Sequence, residues 1–261
     1  MATVEEVKQY YDEWTVKYLD VYGDIIQAFR PTSDGELATY TAQNAGLRKG
    51  QHILDAGSGV SGPAIAMAEK SGVKFSCITV SPQQAGIAKQ RVSARRLDKI
   101  IDVTEGDYHN LPQYFKQSTF DGALFLESLG HASNVAQVAQ GVYQVLKPGA
   151  YVYIKDFFYK ISLDEAAQAR INEVIKNMNV NYSYSTLGLS QTLDAFRQCG
   201  FEIDYIKHIS FNSDIEIRRK FEDKFGIDNY KGLKEFAPAE WLELRLIKPA
   251  ESSGLLKWLG L

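Results

Sequence analysis

Short apolar runs alternate with amphipathic stretches through the middle of this chain. Five short runs are rich in apolar residues without a strict polar alternation, as strands buried on both faces are; they span residues 52–56, 74–80, 100–104, 120–126 and 150–158. Three stretches between them have apolar positions at helical spacing, at 62–71, 82–97 and 133–146. Because glycine, proline and aspartate mark the short junctions, the pattern predicts a parallel sheet covered by helices on both faces.

The beginning of the chain has a different character. Residues 3–29 are rich in aromatic and charged side chains, contain no proline and predict a long helix. A break at 30–35 and a capping residue, Ser33 or Asp34, predict a second helix over about 35–47. We expect residues 1–48 to form a helical cover on the sheet.

The end of the chain departs from the alternation of strands and helices. A helix at 189–199 and strands at 201–208 and 241–247 continue the core, whereas 161–186 and 209–236 are polar. The two polar segments are either insertions that cap one end of the sheet or peripheral helices; a cap is preferred, because the N-terminal helices need a surface to pack on. The expected organisation is a single domain with a helical cover (1–48), a core (49–160), cap insertions and further core elements (161–236), and a final strand and tail (237–261).

Composition and charge narrow the class of protein. Acidic side chains (32) outnumber basic ones (29), and the net charge of -3 argues against a broad basic surface for nucleic acid. Cys77 and Cys199 make no disulfide framework, and buried free thiols are expected. The N-terminus has no secretory signal, and no run reaches the ~18 apolar residues of a membrane helix. We expect a cytoplasmic, enzyme-sized protein that binds no nucleic acid.

A glycine-rich loop follows the first predicted strand. Residues 53–63 read ILDAGSGVSGP, so an apolar run, an acid and a tight turn lead into a helix. Open α/β sheets hold nucleotide-like ligands at such a place. The spacing Gly57-x-Gly59-x-x-Gly62 also fits a dinucleotide, but the second strand ends in Ile78–Ser81 without the carboxylate that would hold its ribose. Asp55 would repel a pyrophosphate, whereas it suits a ligand that carries an ammonium group.

Five segments of the chain match known motifs in order and spacing. They read LDAGSGVSGP (54–63), TVSPQQ (79–84), EGDY (105–108), FDGALFLESLGH (120–131) and LKPGA (146–150). Together they resemble class I S-adenosylmethionine-dependent methyltransferases, in particular the group of sterol and prenyl-diphosphate C-methyltransferases and small-molecule O- and N-methyltransferases. The resemblance covers about residues 40–160. It implies a Rossmann-like fold with a seven-stranded, mostly parallel sheet. Residues 241–247 can supply the antiparallel last strand of that sheet. Ser61 stands where most of that group has glycine.

The resemblance implies that the cofactor is S-adenosylmethionine and gives each motif a role. The loop glycines would let the backbone approach the methionine part of the cofactor closely. The residues after the second strand would bind the ribose, and Asp107 and Tyr108 would bind the adenine. Tyr11 resembles the N-terminal tyrosine that closes over the cofactor in related enzymes. Packing of an amphipathic helix on the sheet is an equally good interpretation of Tyr11. The cofactor-binding residues expected on this basis are Tyr11, Asp55, Gly57, Gly59, Thr79, Ser81, Gln84, Asp107 and Tyr108.

Two residues after the fourth predicted strand are candidates for the chemistry. Glu127 follows an apolar strand, and a carboxylate among apolar groups has a raised proton affinity. In the sterol and prenyl branch it would stabilise the carbocation formed when an alkene is methylated and take up its proton, which is the preferred hypothesis. His131 would instead be the base for a hydroxyl or amine acceptor in an O- or N-methyltransferase. Two plainer interpretations stay open: His131 as a histidine at a helix start that is bonded to the backbone, and Glu127 as a residue that binds the cofactor or the acceptor without moving a proton. A third hypothesis is a protein that binds the cofactor without turnover.

Aromatic residues outside the core indicate an apolar acceptor with a polar head. The candidate substrate-binding residues are Tyr18, Tyr22, Gln27, Arg30, Phe158 and Tyr182. Arg30, Lys155 and Arg91 could meet a diphosphate, although a scattered arginine is usually solvated or salt-bridged. Only a diphosphate acceptor would call for Mg²⁺; otherwise no metal is predicted, because the histidines and cysteines lack ligand spacing. The apolar tail, 255–261, is expected to dock on the body or on a second subunit of a homodimer rather than to insert into a membrane.

Overall fold

A computed structural model describes residues 2–31, 33–209, 216–230 and 237–250. Its strands are β1 (His52–Ala56), β2 (Lys74–Thr79), β3 (Ile101–Glu105), β4 (Phe120–Leu126), β5 (Leu146–Tyr159), β6 (Glu202–His208) and β7 (Ala239–Ile247). Its α-helices are α1 (Val4–Tyr22), α2 (Asp34–Ala45), α3 (Gly62–Ser71), α4 (Pro82–Ala94), α5 (Leu111–Tyr114), α6 (Val135–Val145), α7 (Glu165–Tyr182), α8 (Leu189–Gln198) and α9 (Glu216–Phe225). Short 3₁₀ turns lie at Tyr108–Asn110 and Leu129–His131.

The strands form one seven-stranded sheet in the order β3-β2-β1-β4-β5-β7-β6. β1 to β5 pair in parallel, whereas β7 runs antiparallel to both of its neighbours, β5 and β6. The predicted mostly parallel sheet with an antiparallel last strand is therefore confirmed. Only β5 differs appreciably from its predicted extent, because its first residue, Leu146, already pairs with Phe120 of β4.

Helices cover both faces of the sheet because successive residues of its central strands point to opposite sides. In β1, Leu54 packs into one apolar cluster and Ile53 into the other. In β4, Phe125 and Leu124 divide in the same way. The carboxyl ends of β1 and β4 lie side by side where the strand order reverses, and ligands of open α/β sheets bind at such a point. The glycine loop after β1 and Glu127 after β4 are thereby brought together.

α1 ends earlier than the sequence predicts. Gly23 closes the helix with φ of +70°, so that residues 24–30 form a loop instead of continuing it. This loop crosses the start of α3 so closely that a Cβ at Gly62 would lie 1.9 Å from the Asp24 carbonyl oxygen. The third glycine of the motif, Gly62, is thus needed because the loop after α1 leaves no space for a side chain there.

α1, α7 and α9 lie near the carboxyl end of the sheet. Tyr18 of α1 stacks on Phe221 of α9, with ring centroids 4.3 Å apart. Met178 of α7 packs with Phe157 at the end of β5. Together these aromatic and apolar contacts fix the N-terminal helix against the later helices, beside the glycine loop.

The described ranges contain neither a membrane-spanning helix nor a metal centre. No helix there is both long and apolar enough to cross a bilayer. No group of three or more histidine, cysteine, aspartate or glutamate side chains there is arranged to hold a metal ion. The tail at 255–261, for which docking was predicted, lies outside the described residues.

Candidate active site

Two adjoining cavities lie at the carboxyl end of the sheet. The glycine-loop cavity, about 840 Å³ and partly open to solvent, is bounded by residues 57–63, the end of β2, residues 107–109 and α1. The aromatic cavity, about 600 Å³, lies between α1, α7, α9 and the end of β5. Four residues line both cavities, and a group transferred from one ligand to the other would pass between them: Tyr11, Ile26, Glu127 and His131.

The glycine loop turns sharply and packs tightly against the residue that follows Glu127. Gly57 has φ of +75° and Gly59 φ of +55°, a region that favours glycine. A Cβ at Gly57 would lie 2.6 Å from the Cβ of Ser128. The N–H groups of Gly57 and Ser58 both donate to the Ile78 carbonyl, which ties the loop to β2. Both predicted glycines therefore line a cavity whose wall has no room for a side chain at Gly57.

Asp55 provides an unpaired acceptor beside this loop. The side chain is 2% exposed, its Oδ2 has no hydrogen-bond partner among the described residues, and burial raises its pKa to about 7. The hydroxyl of Ser58 is also buried without a partner there. An amino-acid ammonium group would satisfy these oxygens and favour the ionised carboxylate. The residues thus fit the methionine part of S-adenosylmethionine.

The residues expected at the ribose divide into two groups. Thr79 and Gln84 line the glycine-loop cavity, and the Thr79 hydroxyl donates to Gln84 Oε1 at 2.9 Å. Ser81 does not line it: its hydroxyl donates to Asp12 Oδ1 at 2.5 Å and accepts the N–H of Gln84. The Ser81 hydroxyl thus caps α4 and joins that helix to α1, and Ser81 lies outside the cavity that was expected to hold the cofactor.

Asp107 and Tyr108 line the cavity as expected, yet the carboxylate of Asp107 is already engaged. It accepts from the His109 ring at 2.6 Å and from the amide of Asn110 at 3.0 Å. Burial alone would raise the pKa of Asp107, but these hydrogen bonds outweigh it and lower the pKa. The Tyr108 hydroxyl donates to the Ser128 carbonyl at 2.9 Å, which fixes the ring in the cavity wall.

Glu127 lies between the cavities with a strained backbone conformation and with hydrogen bonds to both of its carboxylate oxygens. Its φ of +56° is a left-handed conformation that costs about 1–3 kcal/mol in a residue other than glycine. Its carboxylate accepts from Lys155 Nζ at 2.5 Å and from the N–H groups of Ala28 at 2.6 Å and Phe29 at 3.2 Å. The Lys155 side chain is completely buried. Both carboxylate oxygens are thus engaged in holding the loop that follows α1.

His131 is buried in a neutral form that faces Tyr11. Its Nδ1 is 2.9 Å from the Ser183 carbonyl, which only accepts, so Nδ1 carries the proton. Nε2 is then an acceptor and takes the hydrogen of the Tyr11 hydroxyl at 2.7 Å. Burial lowers the pKa of His131 to about 4. A neutral imidazole and a phenol thus form a hydrogen-bonded pair at the junction of the cavities.

Three of the predicted acceptor residues line the aromatic cavity, Tyr18, Tyr22 and Tyr182, and three do not. Gln27 lines the glycine-loop cavity instead. The Arg30 guanidinium donates to the carbonyls of Tyr22 and Ile25 and pairs with Asp34. Phe158 is wholly buried in the sheet core, and its neighbour Phe157 reaches the cavity because side chains alternate along a strand. In this structure Arg30 and Phe158 therefore do not line the aromatic cavity, and Gln27 lines the adjoining one.

Sequence reasoning missed several residues of the site. Lys155 was considered only for a diphosphate, although a lysine inside the apolar run YVYIKDFFY indicates a buried partner. Tyr184 gives no such signal, and it enters the aromatic cavity because its hydroxyl donates to the buried Asp156. Arg218 lies on α9, and its contact with the cavity follows from tertiary packing alone.

Comparison with known proteins shows similarity to methyltransferases. The model of a family described as "Methyltransferase domain" matches residues 54–154. Sterol methyltransferase-like 3 of Botryococcus braunii is 27% identical over 172 residues, 66% of this chain and 42% of that protein. (+)-O-methylkolavelool synthase of Herpetosiphon aurantiacus is 25% identical over 98% of this chain and 86% of that protein. The chain therefore spans less than half the length of the first relative and most of the second.

The fold is shared with solved structures as well. The crystal structure of the [4+2]-cyclase SpnF superposes with a TM-score of 0.77 over 96% of this chain and 97% of that one, at 21% identity. At this identity the likeness concerns the fold alone. A cyclase with this architecture also indicates that the fold by itself does not determine the reaction.

Proposed function

We propose that this chain is a class I S-adenosylmethionine-dependent methyltransferase that transfers a methyl group to a hydroxyl of an apolar, isoprenoid-like small molecule; the match of residues 54–154 to a methyltransferase domain supports the first part. The observation that carries the proposal is the Tyr11–His131 pair at the junction of the two cavities. Glu127, the other candidate base, has both oxygens engaged by Lys155 and the loop. The relative that spans nearly the whole chain is named for an O-methylated product, which supports the same choice.

The acceptor would occupy the aromatic cavity. Tyrosine and tryptophan rings offer a large apolar surface there, whereas Arg218 and the tyrosine hydroxyls offer a few polar contacts. A hydroxyl group directed toward Tyr11 would lie where the two cavities meet. The proposed acceptor is therefore an amphiphilic alcohol with an extended apolar body.

The bound cofactor supplies a methyl group on a positively charged sulfur, which leaves as a neutral thioether. The chain's main contribution is to hold the two reactants close and aligned, which is worth several kcal/mol of the barrier and roughly 7–11 at the extreme. In the proposed step the acceptor oxygen forms the new bond to carbon while its proton passes to Tyr11 Oη. Tyr11 at the same time gives its own proton to His131 Nε2.

A base as weak as His131 suffices for this reaction. Burial lowers its pKa to about 4, so that the ring is neutral and able to accept a proton at pH 7. The acceptor hydroxyl is a very weak acid at the start, but its oxygen becomes cationic and strongly acidic as the methyl group arrives. General base assistance of this kind typically contributes about 10²–10⁴-fold in rate.

C-methylation of an alkene, with Glu127 as cation stabiliser and base, is the second candidate. Two observations favour it: Glu127 lines both cavities, and the first relative is named as a sterol methyltransferase. It requires the carboxylate to act while paired with Lys155. A protein that binds the cofactor without turnover is the remaining alternative. An acceptor with a diphosphate group would in addition call for Mg²⁺.

A labelled-methyl assay tests the proposal. Wild type is incubated with methyl-labelled S-adenosylmethionine and, one at a time, farnesol, a sterol, a phenol, an amine and geranyl diphosphate with Mg²⁺. We expect label on the oxygen of an alcohol, a loss of at least 100-fold with His131→Asn, and little change with the control His52→Asn, which alters a histidine on β1 remote from both cavities. Label on carbon would favour the second candidate, and binding without turnover the third.

A further inference from the structure

Gln27 lines the glycine-loop cavity and carries a buried hydrogen-bond donor without a partner among the described residues. The side chain is 2% exposed and lines that cavity but not the aromatic one. Its Oε1 accepts from Lys155 Nζ at 2.9 Å, whereas its Nε2 is buried without a partner among the described residues. A buried polar group left in this state costs about 1–3 kcal/mol, so a ligand that accepts a hydrogen bond there would be favoured.

Lys155 fixes which way the Gln27 amide faces. An ammonium group only donates, so the carbonyl oxygen of the amide must face it, and the NH₂ group must face away. Turning the amide over would bring two donors together at 2.9 Å. Lys155 cannot follow such a turn, because Glu127 and the Phe29 carbonyl also hold its Nζ, at 2.5 and 2.6 Å.

The composition of the cavity wall identifies the group that this donor would meet. Among the described residues that line the glycine-loop cavity there is no lysine or arginine. An anionic part of a ligand must therefore be held by neutral donors. Asp55 and Ser58 offer buried, unpaired oxygens that suit a ligand's ammonium group, so the carboxylate of the same amino acid needs a donor elsewhere in the cavity.

On the basis of the proposed function, we propose that Gln27 Nε2 donates to the carboxylate of the cofactor's amino-acid part. Gln27 is then a specificity residue: it distinguishes cofactors that retain this carboxylate from adenosine sulfides or sulfonium compounds that lack it. Lys155 acts through Gln27 as a positioning residue, because it aims the amide. The Glu127–Lys155 pair consequently serves donor recognition as well as the packing of the loop.

Binding measurements with three ligands test this proposal. S-adenosylhomocysteine has the whole amino-acid part. Decarboxylated S-adenosylmethionine keeps the ammonium group, lacks the carboxylate and carries the sulfonium methyl group, and 5′-deoxy-5′-methylthioadenosine lacks both the ammonium and the carboxylate. Gln27→Met keeps the length of the side chain and removes the donor. We expect it to weaken S-adenosylhomocysteine binding by about 10- to 100-fold, as for a hydrogen bond to a charged group, and to change the other two by less than about twofold.

Two further variants separate this role from a structural one. Gln84→Leu alters the same cavity at the end where Thr79 lies, and we expect it to weaken S-adenosylhomocysteine and methylthioadenosine alike. Gln27→Glu places a carboxylate beside the ligand's carboxylate, and we expect it to weaken S-adenosylhomocysteine binding selectively and at least as much as Gln27→Met does. Should Gln27→Met weaken all three ligands equally, or none, the inference is overturned. Wild type that binds none of the three would overturn the proposed function instead.

Discussion

The pair formed by Glu127 and Lys155 offers a test that separates a structural carboxylate from a catalytic one. Lys155 is completely buried and Glu127 is 9% exposed, so Glu127→Gln leaves a charge in the interior without its counter-ion. Breaking a buried pair in this way costs about 3–5 kcal/mol. For a domain of this size 1 kcal/mol lowers Tm by about 2–4 °C, and we expect Tm to fall by roughly 6–20 °C.

The double variant Glu127→Gln with Lys155→Met removes both charges and should recover most of that loss. The glutamine can still accept from the N–H groups of Ala28 and Phe29. Glu69→Gln, in an exposed pair with Arg95, is the control and should change the free energy of unfolding by no more than about 0.5 kcal/mol. Differential scanning calorimetry of wild type, the single variants Glu127→Gln and Lys155→Met, the double variant and the control gives the coupling energy.

Activity of the double variant then decides between the two bases. It is measured as kcat at saturating cofactor, because Lys155→Met also frees the Gln27 amide and should raise the KM for the cofactor. If the Tyr11–His131 pair accepts the proton, kcat stays within about tenfold of wild type. A fall of about 10²–10⁴-fold in a stable double variant would refute this reasoning, since that is the usual contribution of a lost general base.

Other features of the site lead to three more predictions. Burial raises the pKa of Asp55 to about 7, and a bound ammonium group requires the ionised carboxylate. Titration calorimetry should therefore find that the affinity for S-adenosylhomocysteine rises by up to tenfold per pH unit below pH 7 and is constant above it, and Asp55→Asn should remove this pH dependence. Burial lowers the pKa of His131 to about 4, so kcat should stay level as pH falls through 6.5 and decline only toward 4 in a pH–rate profile. Gly62→Ala would press against the loop after α1 and should lower Tm, whereas Gly86→Ala, with open space around its Cβ inside α4, should raise the free energy of unfolding by up to about 1 kcal/mol; equal Tm values for the two would contradict this.

Much of the fold is predictable from the sequence because the chain alternates strands and helices with clear junctions. The apolar runs at 120–126 and 74–80 match β4 and β2 almost to the residue. The order and spacing of the motifs then indicate which strands meet at the ligand site. Local pattern suffices here, since each strand is buried on both faces and each turn has its own glycine or proline.

The details of the site depend on tertiary contacts that have no local signal. The bond between Glu127 and Lys155 follows from the register of β4 and β5, in which Leu126 lies opposite Lys155. Phe158 and Phe157 are indistinguishable in a continuous apolar run, because such a run does not reveal which side chain faces the ligand. The role of Gln27 depends on the early end of α1 at Gly23, which frees residues 24–30 to cross the site.

The most direct test of the account is a single-turnover reaction with methyl-labelled S-adenosylmethionine and the alcohol that the wild-type protein accepts. We predict that the label is found on the acceptor oxygen, and that His131→Asn slows its appearance by at least 100-fold without weakening cofactor binding. Label on an acceptor carbon, formed at the wild-type rate by His131→Asn, would contradict the account.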